Sequence, residues 1–287
     1  GVSPRPIAFV SSLNSAGTPN LAPYSFFNAF ASRPPIVAIG PAIAAKTGTP
    51  KDTWLNILET GEATISVVTY SMVHKVNLAS APYPADVDEF VKAGFTKAPS
   101  TLVKPPFVAE SPYAMECRLM ENIELRRDIG GNGNLMLLEV VAFHVADSVM
   151  VDGKIDPRRM DLVGRMSGSY YSRTTSVFEA VQPPHQCIGI DALPDQIRTS
   201  EILTGNDLAK LAYVQVLPML DGSFPQFSED YRADSVEIEL LASNPMGALY
   251  AMLQNGSQHD RALRHRIAKA FIANDQLDEA WQTLLLE

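Results

Sequence analysis

Few residues in this chain of 287 stand in patterns that carry chemistry by themselves. It has no HExxH, CxxC or GxSxG motif. His74, His144, His185, His259 and His265 are dispersed, and the last two, six apart on a helical segment, do not chelate from one face. Cys117 and Cys187 are 70 residues apart, so no metal site is expected. Gly130-Gly131-Asn132-Gly133-Asn134 resembles a phosphate loop, but it lies between two β runs with no helix after it and reads as a hairpin turn. With no nucleophile–base pair in local sequence, the chemistry is expected to reside in a cofactor. An anion site is on offer. Lys51 and Thr53 stand at the start of a helical segment, with Lys46-Thr47 just upstream. Cations and the free N–H groups of a helix N-terminus suit a phosphate there, and Asp52 reads as the helix cap.

Those residues need elements to hold them. Pro6–Leu13 reads as a strand, closed by a turn over Asn14–Pro19. Asn20–Ser32 is apolar on both faces and rich in aromatics, like a buried barrel strand. Pro23 within it marks a bulge or an edge, because proline cannot donate to the ladder. Ile36–Gly40 and Ala63–Val68 read as strands, Thr53–Thr60 as a helix stopped by Gly61, and Ser71–Ala79 and Asp86–Ala93 as short helices. Met115, Cys117, Leu119, Ile123 and Leu125 alternate with Glu116, Arg118, Asn122, Glu124 and Arg126, which is the period of a half-exposed strand. Leu135–Val149 returns from the turn at Asp128–Asn134 to complete a hairpin.

The pattern changes after Gln182-Pro183-Pro184. Asp207–Val216 and Met246–Gln254 read as helices. Leu263, Ile267, Ala270 and Phe271 recur at helical spacing, as do Leu277, Ala280, Trp281, Leu284 and Leu285, with a break at Asn274-Asp275. The expected organisation is a mainly β (β+α) domain over 1–182 and a mostly helical extension over 183–287. A two-helix hairpin is marginal alone in water, so its apolar stripe must be covered. The candidate covers are its own barrel, the partner subunit or another protein; packing within the dimer is the expectation, where the extension would act as a lid, with a stabilising appendage as the plainer alternative.

Composition sets outer limits. Apolar residues make up 46% and charged residues 19%, as in a folded globular chain. Lys plus Arg is 23 against 32 Asp plus Glu, a net charge of −9, which argues against nucleic-acid or anionic-membrane partners. No unbroken apolar run approaches the length of a membrane helix. Two cysteines imply no disulfide framework and a reducing, cytoplasmic setting. Gly1–Pro6 shows neither an initiating Met nor a signal pattern and reads as an entry part-way into a domain.

Several blocks in order carry a resemblance. They are Pro4-Arg5-Pro6-Ile7-Ala8-Phe9-Val10-Ser11-Ser12; Gly17 and Asn20-Leu21-Ala22-Pro23-Tyr24-Ser25-Phe26-Phe27; Ser32-Arg33-Pro34-Pro35-Ile36-Val37; Lys51-Asp52-Thr53 with Asn56-Ile57; Asp152-Gly153-Lys154-Ile155; and Gly164-Arg165-Met166-Ser167-Gly168-Ser169-Tyr170. Over about residues 1–180 the chain resembles the flavin reductase-like family of FMN-binding split-barrel proteins. The last block departs mildly, with Ser167-Gly168 where the family usually has Gly-Gly. The resemblance implies a Greek-key split β-barrel, non-covalent FMN, and a homodimer with the flavin near the subunit interface.

The residues suit FMN physically as well. Lys51, Thr53, Lys46 and Thr47 are the phosphate candidates. A flat apolar slot with polar groups at its edge is wanted for the ring, and Ala22, Tyr24 and Ser25 flank the ladder-breaking Pro23. Arg5, Asn20 and Ser25 are expected to position the flavin, and Arg165 is a further ligand candidate through the last block. A plainer account stays open, with Tyr24 and Phe26 as core, Thr53 as a helix start and Arg5 as an exposed charge. The expected activity is hydride transfer from NAD(P)H to flavin and electron transfer onward to a small-molecule acceptor. No side-chain acid or base is required. The alternative is a flavin-bearing electron carrier without an NAD(P)H site.

Overall fold

The computed structural model describes residues 1–43, 48–125, 133–228 and 231–286. Lys46, Thr47 and most of the 128–134 turn therefore lie outside the described residues. The described chain divides into two compact units, Gly1–Phe178 and Glu179–Glu287.

The first unit is built on one antiparallel sheet. Its strands are β1 (Ala8–Leu13), β2 (Pro19–Tyr24), β3 (Phe27–Ser32), β4 (Pro35–Ile39), β5 (Glu62–Val67), β6 (Tyr113–Glu124) and β7 (Asn134–Val145). Their order across the seven-stranded sheet is β2-β1-β5-β6-β7-β4-β3. The two edges, β2 and β3, are consecutive in the chain and are joined only by Ser25-Phe26. The sheet must therefore curl until its edges meet at that link, which makes a split barrel. β1 is buried on both faces. Phe9 turns toward Leu21, Met72 and Phe90, whereas Ala8 and Val10 turn toward Ile39, Ile57 and Met136. Two more short strands, β8 (Val163–Arg165) and β9 (Tyr171–Arg173), pair with each other. A Cβ on Gly164 of β8 would meet Pro4 Cβ at 2.8 Å, so glycine permits that close approach.

Three helices complete this unit: α1 (Asp52–Thr60), α2 (Val73–Ala79) and α3 (Glu89–Ala93). α1 buries Thr53, Trp54, Asn56 and Ile57 on one face, and the left-handed Gly61 (φ 73°) ends it by donating its N–H to Ile57.

Four sequence expectations need correction here. Asn20–Ser32 is not one buried strand. It breaks at Ser25-Phe26, and β3 is an edge strand, so Phe30 is 65% exposed. Pro23 marks an edge, as one of its two readings had it, but it makes no bulge and does not disrupt the ladder. It pairs in register with Phe9, because its missing N–H falls on the outer side of an edge strand. Asp52 is not the cap of α1. Lys51 occupies that position with no side-chain cap, and Asp52 is the first helical residue. Glu116 does not face solvent. It keeps the face opposite Met115 and Cys117, but the 101–103 segment covers that face, and its buried carboxylate accepts from the N–H groups of Thr101 (2.6 Å), Leu102 (2.5 Å) and Val103 (2.9 Å) and pairs with His144 Nε2 (2.6 Å). Burial alone would raise its pKa, but these bonds outweigh it and hold the carboxyl below its ordinary value.

The second unit is helical, with α4 (Asp195–Arg198), α5 (Gly205–Leu211), α6 (Val236–Leu241), α7 (Pro245–Gln254), α8 (Arg261–Ala273) and α9 (Leu277–Leu285). α5 starts earlier than expected because Thr204 and Asp207 form a capping box, and it ends at Leu211. α8 and α9 form the expected hairpin. Their stripe, including Ile267, Phe271, Trp281 and Leu284, is covered by Ile197, Leu211, Ala248 and Leu249 of the same unit. Trp281 Nε1 donates to Leu211 O at 3.2 Å. The hairpin's stripe thus packs on α4, α5 and α7 of its own unit, a cover the sequence reading had not weighed.

Candidate functional site

The outer edge of β2 is where the candidate residues converge. An unpaired edge exposes alternate N–H groups, here those of residues 19, 21 and 23. Pro19 and Pro23 have none, and Leu21 N–H donates to Glu89 Oε2 at 2.9 Å. The edge is therefore closed to further strand pairing and opens onto a cleft instead.

One lobe of that cleft has a volume of about 190 Å³ and lies between β2, the start of α1 and the segment after α2. Asn20, Ala22, Tyr24, Lys51, Thr53 and Glu89 line it. The other lobe, about 320 Å³, is bounded by Arg5, Ser25, Asn77, Arg165 and Tyr171. Pro23, Tyr24 and Ser80 line both, so the two lobes are neighbours along β2. Every candidate residue within the described chain, from Arg5 to Arg165, thus meets this one cleft.

The two arginines are locked together by their backbones. Arg5 N donates to Arg165 O at 3.0 Å, and Arg165 N donates to Arg5 O at 2.8 Å. Arg5 Nε donates to Ser25 Oγ at 3.2 Å, which ties β1's approach to the β2–β3 link. Arg165 donates to the Tyr171 hydroxyl at 2.5 Å, and that hydroxyl donates to Asn77 Oδ1 at 2.6 Å. Among the described residues, neither guanidinium is paired with a carboxylate. At the other lobe, α1 begins without a side-chain cap, beside Lys51.

Between these ends runs a polar chain. Thr53 Oγ1 donates to Asn20 Oδ1 at 2.6 Å, and Asn20 Nδ2 donates to Glu89 Oε1 at 3.1 Å. Burial pushes the Glu89 carboxyl up, and the Leu21 N–H and the Asn20 amide only partly offset it. Burial likewise raises the Tyr24 phenol, and the neighbouring Asp52 and Glu89 add to the rise. Tyr24 therefore stays protonated.

Glu89, Asn77, Ser80 and Tyr171 are the site residues the sequence reading missed. Asp88 caps α3 through its bond from Phe90 N, which makes Glu89 look like an ordinary first-turn acid. Its burial against β2 is a tertiary fact with no local signal.

Comparison with known proteins follows the same residues. A model of the flavin reductase like domain matches residues 1–156. A Halalkalibacterium halodurans protein is 38% identical over 188 residues, covering 63% of this chain and 87% of the relative. Among solved structures, nitrilotriacetate monooxygenase component B from Bacillus cereus is 32% identical with a TM-score of 0.59, covering 63% of this chain and 89% of that one. Pseudomonas fluorescens 2-nitrobenzoate 2-nitroreductase is 31% identical with a TM-score of 0.54, covering 64% and 87%. A split-barrel protein from Shewanella frigidimarina, 24% identical with a TM-score of 0.55 and covering 62% and 86%, shares the fold.

Proposed function

Starting from the premise that the chain belongs to the flavin reductase-like family, we propose that it is an FMN-dependent oxidoreductase that takes hydride from NAD(P)H and passes electrons to a small-molecule acceptor. The observation that carries this reading is the polarity of the β2 cleft. It has Lys51 and an uncapped helix start at one end and, at the other, two hydrogen-bonded guanidiniums that no carboxylate among the described residues neutralises. That donor set fits a molecule with a phosphate at one end and an electron-accepting ring at the other.

Each residue then has a definite task. Lys51 and the first N–H groups of α1 hold the phosphate, with Thr53 contributing its backbone because its hydroxyl proton is engaged by Asn20. Asp52 opposes the phosphate from the first turn, which places the burden on Lys51. Arg5 and Arg165 supply fixed positive charge to the ring end, already oriented by Ser25 and Tyr171. When bound, FMN supplies the hydride-accepting chemistry. The protein orients the reactants and offsets developing negative charge. A twofold homodimer in the cytoplasm belongs to the same reading.

The test is anaerobic. Purified protein loaded with FMN should lose its visible flavin absorbance on addition of NADH or NADPH. If both nucleotides leave the spectrum unchanged while dithionite bleaches it, the flavin is bound but the reductase reading is wrong.

A further inference from the structure

Resting on the flavin reading above, we propose that Asn77 is a positioning residue that acts through Tyr171 on Arg165, fixing the guanidinium at the ring end of the cleft so that the site favours reduced, anionic flavin over the oxidised form. The two arginines are held differently. Arg5 donates from all three side-chain nitrogens, to Ser25 Oγ at 3.2 Å, Val2 O at 2.9 Å and Met166 O at 3.3 Å. The Arg165 guanidinium donates to Tyr171 Oη at 2.5 Å and to the carbonyl of Gly168, in the turn of its own β8–β9 hairpin. Among the described residues, Tyr171 is the only side chain that it bonds. A guanidinium has no acceptor, so the Tyr171 oxygen accepts, and the single phenolic proton needs an acceptor of its own. Asn77 Oδ1 takes it at 2.6 Å. The chain from Arg165 through Tyr171 to Asn77 therefore runs one way, and its far end is anchored. Asn77 lies in α2, whose Val76 and Ala79 are buried in the same core that Tyr171 packs against. Ser80 donates its N–H, at 3.2 Å, and its hydroxyl, at 2.6 Å, to Asn77 O, which fixes the backbone there.

Charge gives this chain its consequence. Asp52 and Glu89 line the phosphate-end lobe together with Lys51, whereas no acidic side chain lines the ring-end lobe. Arg5 and Arg165, joined by reciprocal backbone bonds, are neighbouring positive charges there. Reduction places negative charge on a flavin ring. A guanidinium held toward the ring stabilises the reduced form more than the oxidised one, and a guanidinium that swings into water does so less. Without its acceptor, the Tyr171 hydroxyl turns to water and Arg165 loses a fixed anchor.

The midpoint potential of bound FMN reads the ratio of affinities for its reduced and oxidised forms, and a tenfold change in that ratio is about 30 mV for a two-electron couple. In anaerobic dithionite titrations against a redox dye, Tyr171→Phe should lower the ratio about tenfold and N77L about fivefold, or about 20 mV. Because Asn77 acts through the phenol, N77L added to Tyr171→Phe should change the ratio by less than about twofold. A merely structural Asn77 alters stability and leaves the potential where it was. An unchanged potential in either single variant, or an equal N77L shift in both backgrounds, overturns the proposal. Tyr171→Phe keeps the packed ring, and Asn77 is exposed, so both variants retain the core. Should N77L fail to fold, Asn77→Ala supplies the same cycle. Wild-type protein that takes up no FMN overturns the flavin reading and this proposal with it, whereas FMN uptake with unshifted potentials overturns this proposal alone.

Discussion

Lys51 carries more of the phosphate end than its neighbours do. Asp52 opposes an anion there, and the hydroxyl of Thr53 is already committed to Asn20. Lys51→Ala should therefore weaken FMN by about 1–3 kcal/mol through a lost charge-assisted contact, while riboflavin, which lacks the phosphate, should bind nearly as before. Titrating both flavins into the variant checks this, and an equal loss for the two would move the phosphate elsewhere. Much of this was legible before the fold was known. Arg5, Asn20, Ala22, Tyr24, Ser25, Lys51, Thr53 and Arg165 are named by their types and blocks, and they share one cleft. What sequence could not supply is which hydrogen-bond capacity each retains. The Thr53 hydroxyl looks free until Asn20 is placed opposite it, and Glu89 looks exposed until β2 covers it.

Elements were read well where the side-chain period was clean and poorly where an edge or bulge changed it. Gly61 ends α1 and the 274–275 break separates α8 from α9 as spacing predicts. Glu116 is misread because the distant 101–103 segment covers the face the alternation predicts as open, and β3 because an edge strand tolerates exposed aromatics. At this scale α8 makes a pH prediction. His265 is buried, and its Nδ1 lies 2.6 Å from Ser200 Oγ, which also accepts from the N–H groups of Ile202 and Leu203. With its acceptor capacity used, Ser200 must donate to the ring, which requires neutral imidazole. Burial first, then the charges of Arg261 and Arg264, lower the pKa of His265 to about 4. The unfolded chain binds this proton near pH 6.5, so stability is full above that value and falls as pH drops from 6.5 toward 4. By pH 5 the loss should be about 1–2 kcal/mol, and His265→Gln should flatten this part of the profile. Urea melts followed by Trp281 fluorescence at pH 7.5 and pH 5 would test it, and an identical acid slope in the variant would remove His265 as the cause.

The whole molecule separates its charge along the same boundary as its cores. Residues 1–178 contain 16 Lys plus Arg and 16 Asp plus Glu, whereas residues 179–287 contain 7 against 16. The entire net charge of −9 therefore belongs to the helical unit, and the barrel is neutral. FMN and NAD(P)H are both anions, and a field of that sign slows their approach wherever it is not screened. Charges are largely screened beyond about 8 Å at physiological ionic strength, whereas in dilute salt of about 0.01 M they act out to about 30 Å. The boundary also has a thermodynamic meaning. The α8–α9 stripe is buried by Leu211, Ala248 and Leu249 of its own unit, and the barrel has Phe9, Ile39 and Ile57 for its core. Ending the chain at Phe178 should therefore leave a folded barrel with unchanged FMN affinity at 0.15 M salt, and in dilute salt FMN should associate faster with the truncated protein than with the full chain. Stopped-flow association at two ionic strengths tests both statements. An insoluble or molten truncated barrel would show that the cores are not independent, and equal association rates in dilute salt would show that the acidic unit exerts no field on the cleft. If steady-state flavin reduction at 0.15 M salt is also unchanged by the truncation, the helical unit does not act as a lid over the flavin.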